Sequence, residues 1–400
     1  MGRTKVHKAA MNLLVVVAVL SIILILGRLD IIWMSFGTVT LVSLFGATHM
    51  MEKKETSFLK LKFSALFLLP LLFGISGISY NLRNTLFGFR FLLLLFIPSL
   101  GLLCLLSLTK SNIIKTNFQF SFFFLMIFSL AGSGLLLIGE FMSDRYFDTG
   151  FLEENRYFMM NLIFLAGGSL IIGDFFTLVG TKMDFEIFKS LKLEPKIHVK
   201  KFQKQLKALF DSKFQTGKNN LIGVLSIFVQ IGIIILTSYA LYIGDARWFW
   251  SGVISFGLTM MPHLFKKITD LPFPSVLILW ISLAFFFHVL GGIRGYYDNV
   301  WWWDIFTHTF SASILAFIAF TVLLAFQSSS ELIDIPLSLI PIVLILFLLG
   351  LSVIWETYEF LADQIFGTNM QYGLEDTVFD MIFNSIGAAL ASLLGIIHFR

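Results

Sequence analysis

The chain has 400 residues, of which one is cysteine and only 14% carry charge. The single cysteine, Cys104, lies inside an apolar run, so a disulfide framework and a Cys-based metal site are both excluded. So little charge excludes an ordinary soluble domain, in which about a quarter of residues are charged. The net charge of +4 is small, and no helix-turn-helix, zinc-finger or RNA-binding pattern interrupts the apolar runs. Nucleic acid is therefore not an expected partner. Several catalytic patterns are missing too. There is no GxSxG, no HExxH, no P-loop and no phosphatase-like Arg/His set, so no reaction type follows from a motif.

Apolar residues fill the chain instead. They make up 57% of it, with 47 phenylalanines among them. A soluble reading would require one very large core with almost no polar surface, so the chain is expected to be an all-α, polytopic membrane protein embedded in a lipid bilayer. A membrane span needs about 20 mostly apolar residues. Twelve such runs can be read, at 9–27, 31–51, 58–80, 87–108, 118–139, 157–180, 221–243, 248–265, 272–290, 305–327, 336–357 and 378–398. The first is longer than a signal-peptide core and no small-residue cleavage site follows it, so it is read as a span. MGRTKV lacks the Ser or Thr of a myristoylation motif, so no lipid anchor is indicated.

Charge orders the connections. Arg3, Lys5 and Lys8 precede the first span, and Lys53, Lys54, Lys60 and Lys62 fall in the second loop. Lys110 and Lys115 fall in the fourth loop and Lys266 and Lys267 in the eighth; the sixth, about 181–220, has ten lysines against four acids. The fifth loop is acidic, with Glu140, Asp144, Asp148, Glu153 and Glu154, and the tenth has no Lys or Arg. The positive-inside rule then puts both termini in the cytoplasm of a plasma or inner membrane.

That topology gives meaning to acids and histidines at the span ends. FHVLGGIRGYYDNVWWWDIFTH supplies His288, Asp304 and His308; WETYEF supplies Glu356 and Glu359; LEDTVFDMIFNSIG supplies Asp376, Asp380 and Asn384. All fall at one depth on the extracytoplasmic side. Ionisable groups there cost at least about 2.5 kcal/mol even on lenient insertion scales, so they are functional candidates by default. Asp304 and His308 are i, i+4; Glu356 and Glu359 are i, i+3; Asp376, Asp380 and Asn384 are i, i+4, i+8. Each set shares a helix face.

His with carboxylates suits Zn²⁺, Mn²⁺ or Fe²⁺, whereas carboxylates and Asn alone suit Mg²⁺ or Ca²⁺. The expected ligands of a divalent metal are His308, Glu356, Glu359 and Asp380. Asp304 and Asp376 are expected to orient them or act as catalytic acid and base, with His288 and Asn384 supporting. The competing reading is an interfacial set facing water. It applies with most force to His288 and to Asp363, where a lone change is expected to do little. Trp301, Trp302 and Trp303 are read as an interfacial aromatic belt.

HVLGGIRGYYDN, Asp304 with His308, WETYEF and EDTVFDMIFNSIGA together resemble the bacterial YjdF-type inner-membrane family. They are more distantly similar to VanZ-like proteins. The resemblance covers about 272–400 and implies a helical membrane module whose acids and histidines are functional. It brings no activity with it, beyond a VanZ-like link to cell-envelope or glycopeptide phenotypes.

The expected organisation is an N-terminal six-span half at 1–180, a basic linker at 181–220 and a C-terminal six-span half at 221–400 carrying the site. LLLIGEFMSDRYF parallels SVIWETYEFLADQIF, and EENRYFMMNLIFLAGG parallels LEDTVFDMIFNSIGAA. These likenesses point to a 6+6 parallel duplication whose first copy lacks the site; chance likeness between Gly- and Phe-rich segments is the alternative. In the linker, Val199, Phe202, Leu206, Leu209 and Phe210 recur at helical spacing beside Lys200, Lys201, Lys204 and Lys207. Residues 198–210 are expected to form a surface helix on anionic headgroups.

Three functions fit. The first is a metal-dependent enzyme acting on a lipid or lipid-linked envelope substrate. The second is a secondary transporter, since twelve spans about a central loop is the major-facilitator layout. THMMEKKETSF, however, lacks that superfamily's second-loop signature. The third is a non-catalytic envelope or sensor protein.

Overall fold

The computed structural model describes residues 97–98, 100–102, 104–105, 118–147, 155–182, 199–214, 220–269, 273–329, 335–368 and 370–399. Expected spans 9–27, 31–51 and 58–80 lie outside these residues, as does most of 87–108. The long described elements are all helices: α1 (Phe118–Phe147), α2 (Asn155–Lys182), α3 (Val199–Phe214), α4 (Asn220–Tyr242), α5 (Ala246–Thr269) and α6 (Ser275–Arg294). A single turn, α7 (Tyr296–Asn299), leads to α8 (Trp303–Ser329), α9 (Ile340–Phe366) and α10 (Leu374–Phe399).

Among the described residues, six helices are long and apolar enough to cross a membrane: Phe120–Tyr146, Leu221–Tyr242, Ser275–Arg294, Trp303–Ser329, Ile340–Ile365 and Leu374–Ile397. The chain is thus an all-helical, multi-pass membrane protein. The described residues support six spans, not the full count of twelve. Helix α5, expected to span at 248–265, has the length but not the apolarity. Arg247, two tryptophans, Pro262 and His263 dilute it.

Several hydroxyls inside the spans are satisfied locally. Ser226, Thr237, Ser313, Thr321 and Ser392 each donate to the carbonyl four residues back, at 2.6–2.9 Å. Where no water can reach, this back-bonding lets a polar residue sit in a helix without an orphaned donor. The outward faces are apolar, as lipid contact requires: Phe228, Ile235 and Leu241 on α4 are all more than half exposed.

The chain gathers into two compact units. One combines the chain up to Glu194 with Leu349–Val378, and the other combines Pro195–Leu348 with Phe379–Arg400. In the second unit α4, α5 and α6 all pack against one another, most extensively α4 against α6, and Gln230 on α4 donates to Ser282 on α6 at 3.3 Å. The α6–α8 corner turns on Gly295, whose φ of 64° is the left-handed conformation that glycine adopts without Cβ strain. Its N–H reaches the carbonyls of Gly291 and Gly292 and caps α6.

Helices α8 and α10 run side by side in the same direction. His308 faces Asp380, Gly387 lies against Thr309 and Ala312, and Gly395 lies against the Phe320 ring. Residue numbers rise together along both helices. Two helices running parallel start at the same end, and that puts Asp304 and Asp380 at one depth.

The basic helix α3 packs its apolar face within this unit. Leu206 is buried in one cluster with Leu277, Ile314 and Ala325, with Phe202 and Leu209 packed against it. Of the surface helix expected at 198–210, the helix is present and its apolar stripe meets protein rather than lipid.

Candidate metal centre

Asp304 begins α8 and His308 follows one turn later on the same face. The His308 Nε2 lies 3.5 Å from Asp304 Oδ1 and 3.5 Å from Asp380 Oδ2, the latter contributed by α10. One ligating atom from each of the three lies within 4.8 Å of the others. These separations are long for N–H···O hydrogen bonds, whose usual range ends near 3.2 Å. They suit co-ligands. Bonds of about 2.1 Å in a tetrahedral shell set neighbouring ligand atoms about 3.4 Å apart. Asp380 is buried at 3% exposure, and Asp304 and His308 are half-buried.

Asn384, one turn beyond Asp380 on α10, is within hydrogen-bonding reach of the His308 side chain. A side chain so placed fixes the ring's orientation and tautomer, as the outer partners of metal-binding histidines do. Glycine sets the distance between the two helices. A Cβ at Gly387 would meet the Thr309 carbonyl and come within 3.1 Å of the Ala312 Cβ, and Ser313 Oγ donates to the Gly387 carbonyl at 3.1 Å. Small residues at helix crossings permit this approach in membranes.

His288, on α6, pairs with a residue the sequence reading did not single out. Its Nδ1 lies 3.0 Å from the Tyr297 hydroxyl. It is close enough to Asp304 and His308 to interact with both electrostatically. The glycine pair after it seats two tryptophans: a Cβ at Gly291 would strike the Trp303 indole nitrogen, and one at Gly292 the Trp248 ring. Trp248 also stacks parallel to Tyr297, with centroids 6.3 Å apart. The belt expectation does not extend to Trp303. Trp301 and Trp302 are exposed, but Trp303 is buried at 8% and belongs to the packed corner.

The remaining expected residues belong to the unit that contains Leu349–Val378. Glu356 is fully buried and Glu359 half-buried. Asp376, in the first turn of α10, accepts the Tyr372 N–H at 3.4 Å. Asp363 organises the loop between α9 and α10. Its Oδ1 accepts the Thr368 hydroxyl at 2.6 Å and the Met370 N–H at 2.7 Å, and its Oδ2 accepts the Gln371 N–H at 2.9 Å. Gln371 continues the network to Thr377 at 2.8 Å and accepts from Asn155 at 3.2 Å. Asp363 is thus a structural anchor rather than a tolerant interfacial residue.

A family described as "Predicted membrane protein (DUF2238)" matches residues 224–400, which take in Asp304, His308, Asp380 and Asn384. An "Uncharacterized protein" of Thermotoga maritima is 32% identical over 143 residues, 35% of this chain and 68% of its own length. No solved structure matches the chain. With its spanning helices, the DUF2238 match over 224–400 and a relative covered over two thirds of its length, the chain belongs to one family of membrane proteins with that Thermotoga maritima relative.

Proposed function

We propose that the protein is a metal-dependent membrane enzyme acting on a lipid or lipid-linked envelope substrate. The observation that carries this reading is His308 Nε2 held 3.5 Å from a carboxylate oxygen of Asp304 and 3.5 Å from one of Asp380. Asp304, His308 and Asp380 would hold a divalent ion, Zn²⁺, Mn²⁺ or Fe²⁺ by donor type, and Asn384 would set the imidazole. A bound ion supplies Lewis acidity toward a phosphoryl or carbonyl oxygen. Glu356, a fully buried acid in a membrane helix, and Glu359 remain candidate ligands, and Asp376 a candidate acid or base. His288 with Tyr297 would orient or protonate substrate groups beside the centre.

The lipid substrate class draws on the placement of the trio at the ends of apolar helices. The YjdF-type and VanZ-like resemblance adds the envelope context. Support for an extracytoplasmic site comes from the lysine-rich α3, whose Phe202 meets Phe326 near the end of α8 opposite Asp304. Basic segments favour the cytoplasmic side. The reading counts 248–265 as a span despite its weaker apolarity, and on that basis keeps a twelve-span chain of two parallel sets of six, with both termini inside.

Metal analysis of the purified protein, alongside His308→Ala and Asp380→Ala, tests the centre. The wild type should retain close to one equivalent after dialysis against the ion and each variant far less. Equal metal in all three proteins would remove the centre, and the enzyme reading with it. Two carboxylates close to one imidazole nitrogen also favour a second reading, a proton-coupled secondary transporter. Proton flux in proteoliposomes that persists after chelation would select it.

A further inference from the structure

Helix α3 has two faces of opposite chemistry, and the structure accounts for only one. Phe202, Leu206 and Leu209 are turned to the protein: Leu206 is 5% exposed in its cluster, and the Phe202 ring meets Phe326 edge-on with centroids 6.3 Å apart. Lys200, Lys201, Lys204 and Lys207 are exposed on the opposite side, and no acid interrupts them before Asp211. An amphipathic helix ordinarily holds a bilayer by sinking its apolar face among acyl chains. Here that face is already occupied, and charge alone remains for a partner.

Position identifies the partner. Phe214 is joined to Asn220 through 215–219 only, so the end of α3 lies within about 20 Å of the start of a spanning helix. Phe326 stands near the end of α8 and Leu277 near the start of α6. These ends fall on one side, because α6 and α8 are joined by a short corner. The lysine face is therefore held beside the boundary layer of a bilayer. We propose that it docks on the phosphates of anionic phospholipids in that leaflet, electrostatically and without insertion. Each lysine should strengthen the attachment about fivefold at low salt.

The test places a bimane label on the lysine side, at Ala208→Cys with Cys104→Ser, in the full-length chain. Quenching by headgroup nitroxides is compared between nanodiscs of phosphatidylcholine and discs containing one third phosphatidylglycerol. Quenching at least threefold stronger in the anionic discs, abolished by 0.5 M NaCl, is the expected result. Replacing all four lysines with Gln should also abolish it while leaving the Leu206 cluster and the thermal midpoint intact. Equal quenching in both discs overturns the proposal. So does quenching that survives high salt, which would mean insertion, or that survives the Lys→Gln change. Salt-sensitive quenching displaced by inorganic phosphate or a short RNA would assign the face to a soluble polyanion and overturn the lipid assignment. None of these outcomes depends on the metal centre.

Discussion

Gly387 passes so close to Thr309 that its missing side chain is what lets α10 lie against α8. The Thr309 carbonyl and the Ala312 Cβ occupy the space a methyl would need, and Ser313 ties the crossing by donating to the Gly387 carbonyl. Asp380 is two turns from this contact and His308 is next to it. The Asp304–His308–Asp380 cluster therefore depends on a residue with no ligating atom.

Gly387→Val should separate the helices. The backbone carbonyl cannot rotate away as a flexible side chain would, so overpacking should cost about 1–3 kcal/mol. Thermal unfolding in detergent would show a lower midpoint, and metal retention should fall with it. Unchanged values for both would mean that the helices are spaced by something else.

Asn384→Ala removes the side chain that holds the His308 ring without removing a ligand of the trio. Loss of such an outer partner typically costs 10–100-fold in metal affinity. Isothermal titration with Zn²⁺ or Mn²⁺ should show that loss. It should be smaller than the loss in His308→Ala.

Asp363→Ala leaves the Thr368 hydroxyl and the Met370 and Gln371 N–H groups without their acceptor. A destabilisation of about 1–3 kcal/mol is expected from partly buried donors that lose their partner. Metal content per folded molecule should be unchanged, separating an anchor from a ligand. A lower metal stoichiometry in the folded variant would contradict the anchoring role.

Gly292→Ala should disturb the corner beneath His288, because the added methyl strikes the Trp248 ring. Shifted tryptophan emission and a stability loss of about 1–3 kcal/mol are the expected readouts. The matched change Trp248→Leu should rescue part of the loss if ring contact is the cause.

Much of the secondary structure was legible before the fold. Whether a run crosses a membrane depends on its length and polarity, which are properties of the chain itself. The spans at 221–243, 305–327 and 378–398 accordingly match α4, α8 and α10 within a few residues. Half of the centre was legible for a similar reason. Asp304 and His308 share one helix, and a spacing of four residues fixes their common face before any packing occurs.

The rest depended on tertiary contacts. Which acid joins His308 is decided by which helix can approach α8, and that turns on Gly387 rather than on any titratable residue. Asp363 read as a lone interfacial acid because its partners are backbone N–H groups, and these converge only once the α9–α10 loop adopts its shape. In the linker, spacing alone predicted an apolar stripe opposed to lysines. A stripe seeks any apolar partner, however, and the groove beside Leu277, Ile314 and Ala325 took the place of lipid. The sequence by itself thus determined the helices, their amphipathic faces and the residues able to bind a cation. Only the tertiary structure decided which faces meet, because apolar burial has no direction and close helix contacts are set by shape.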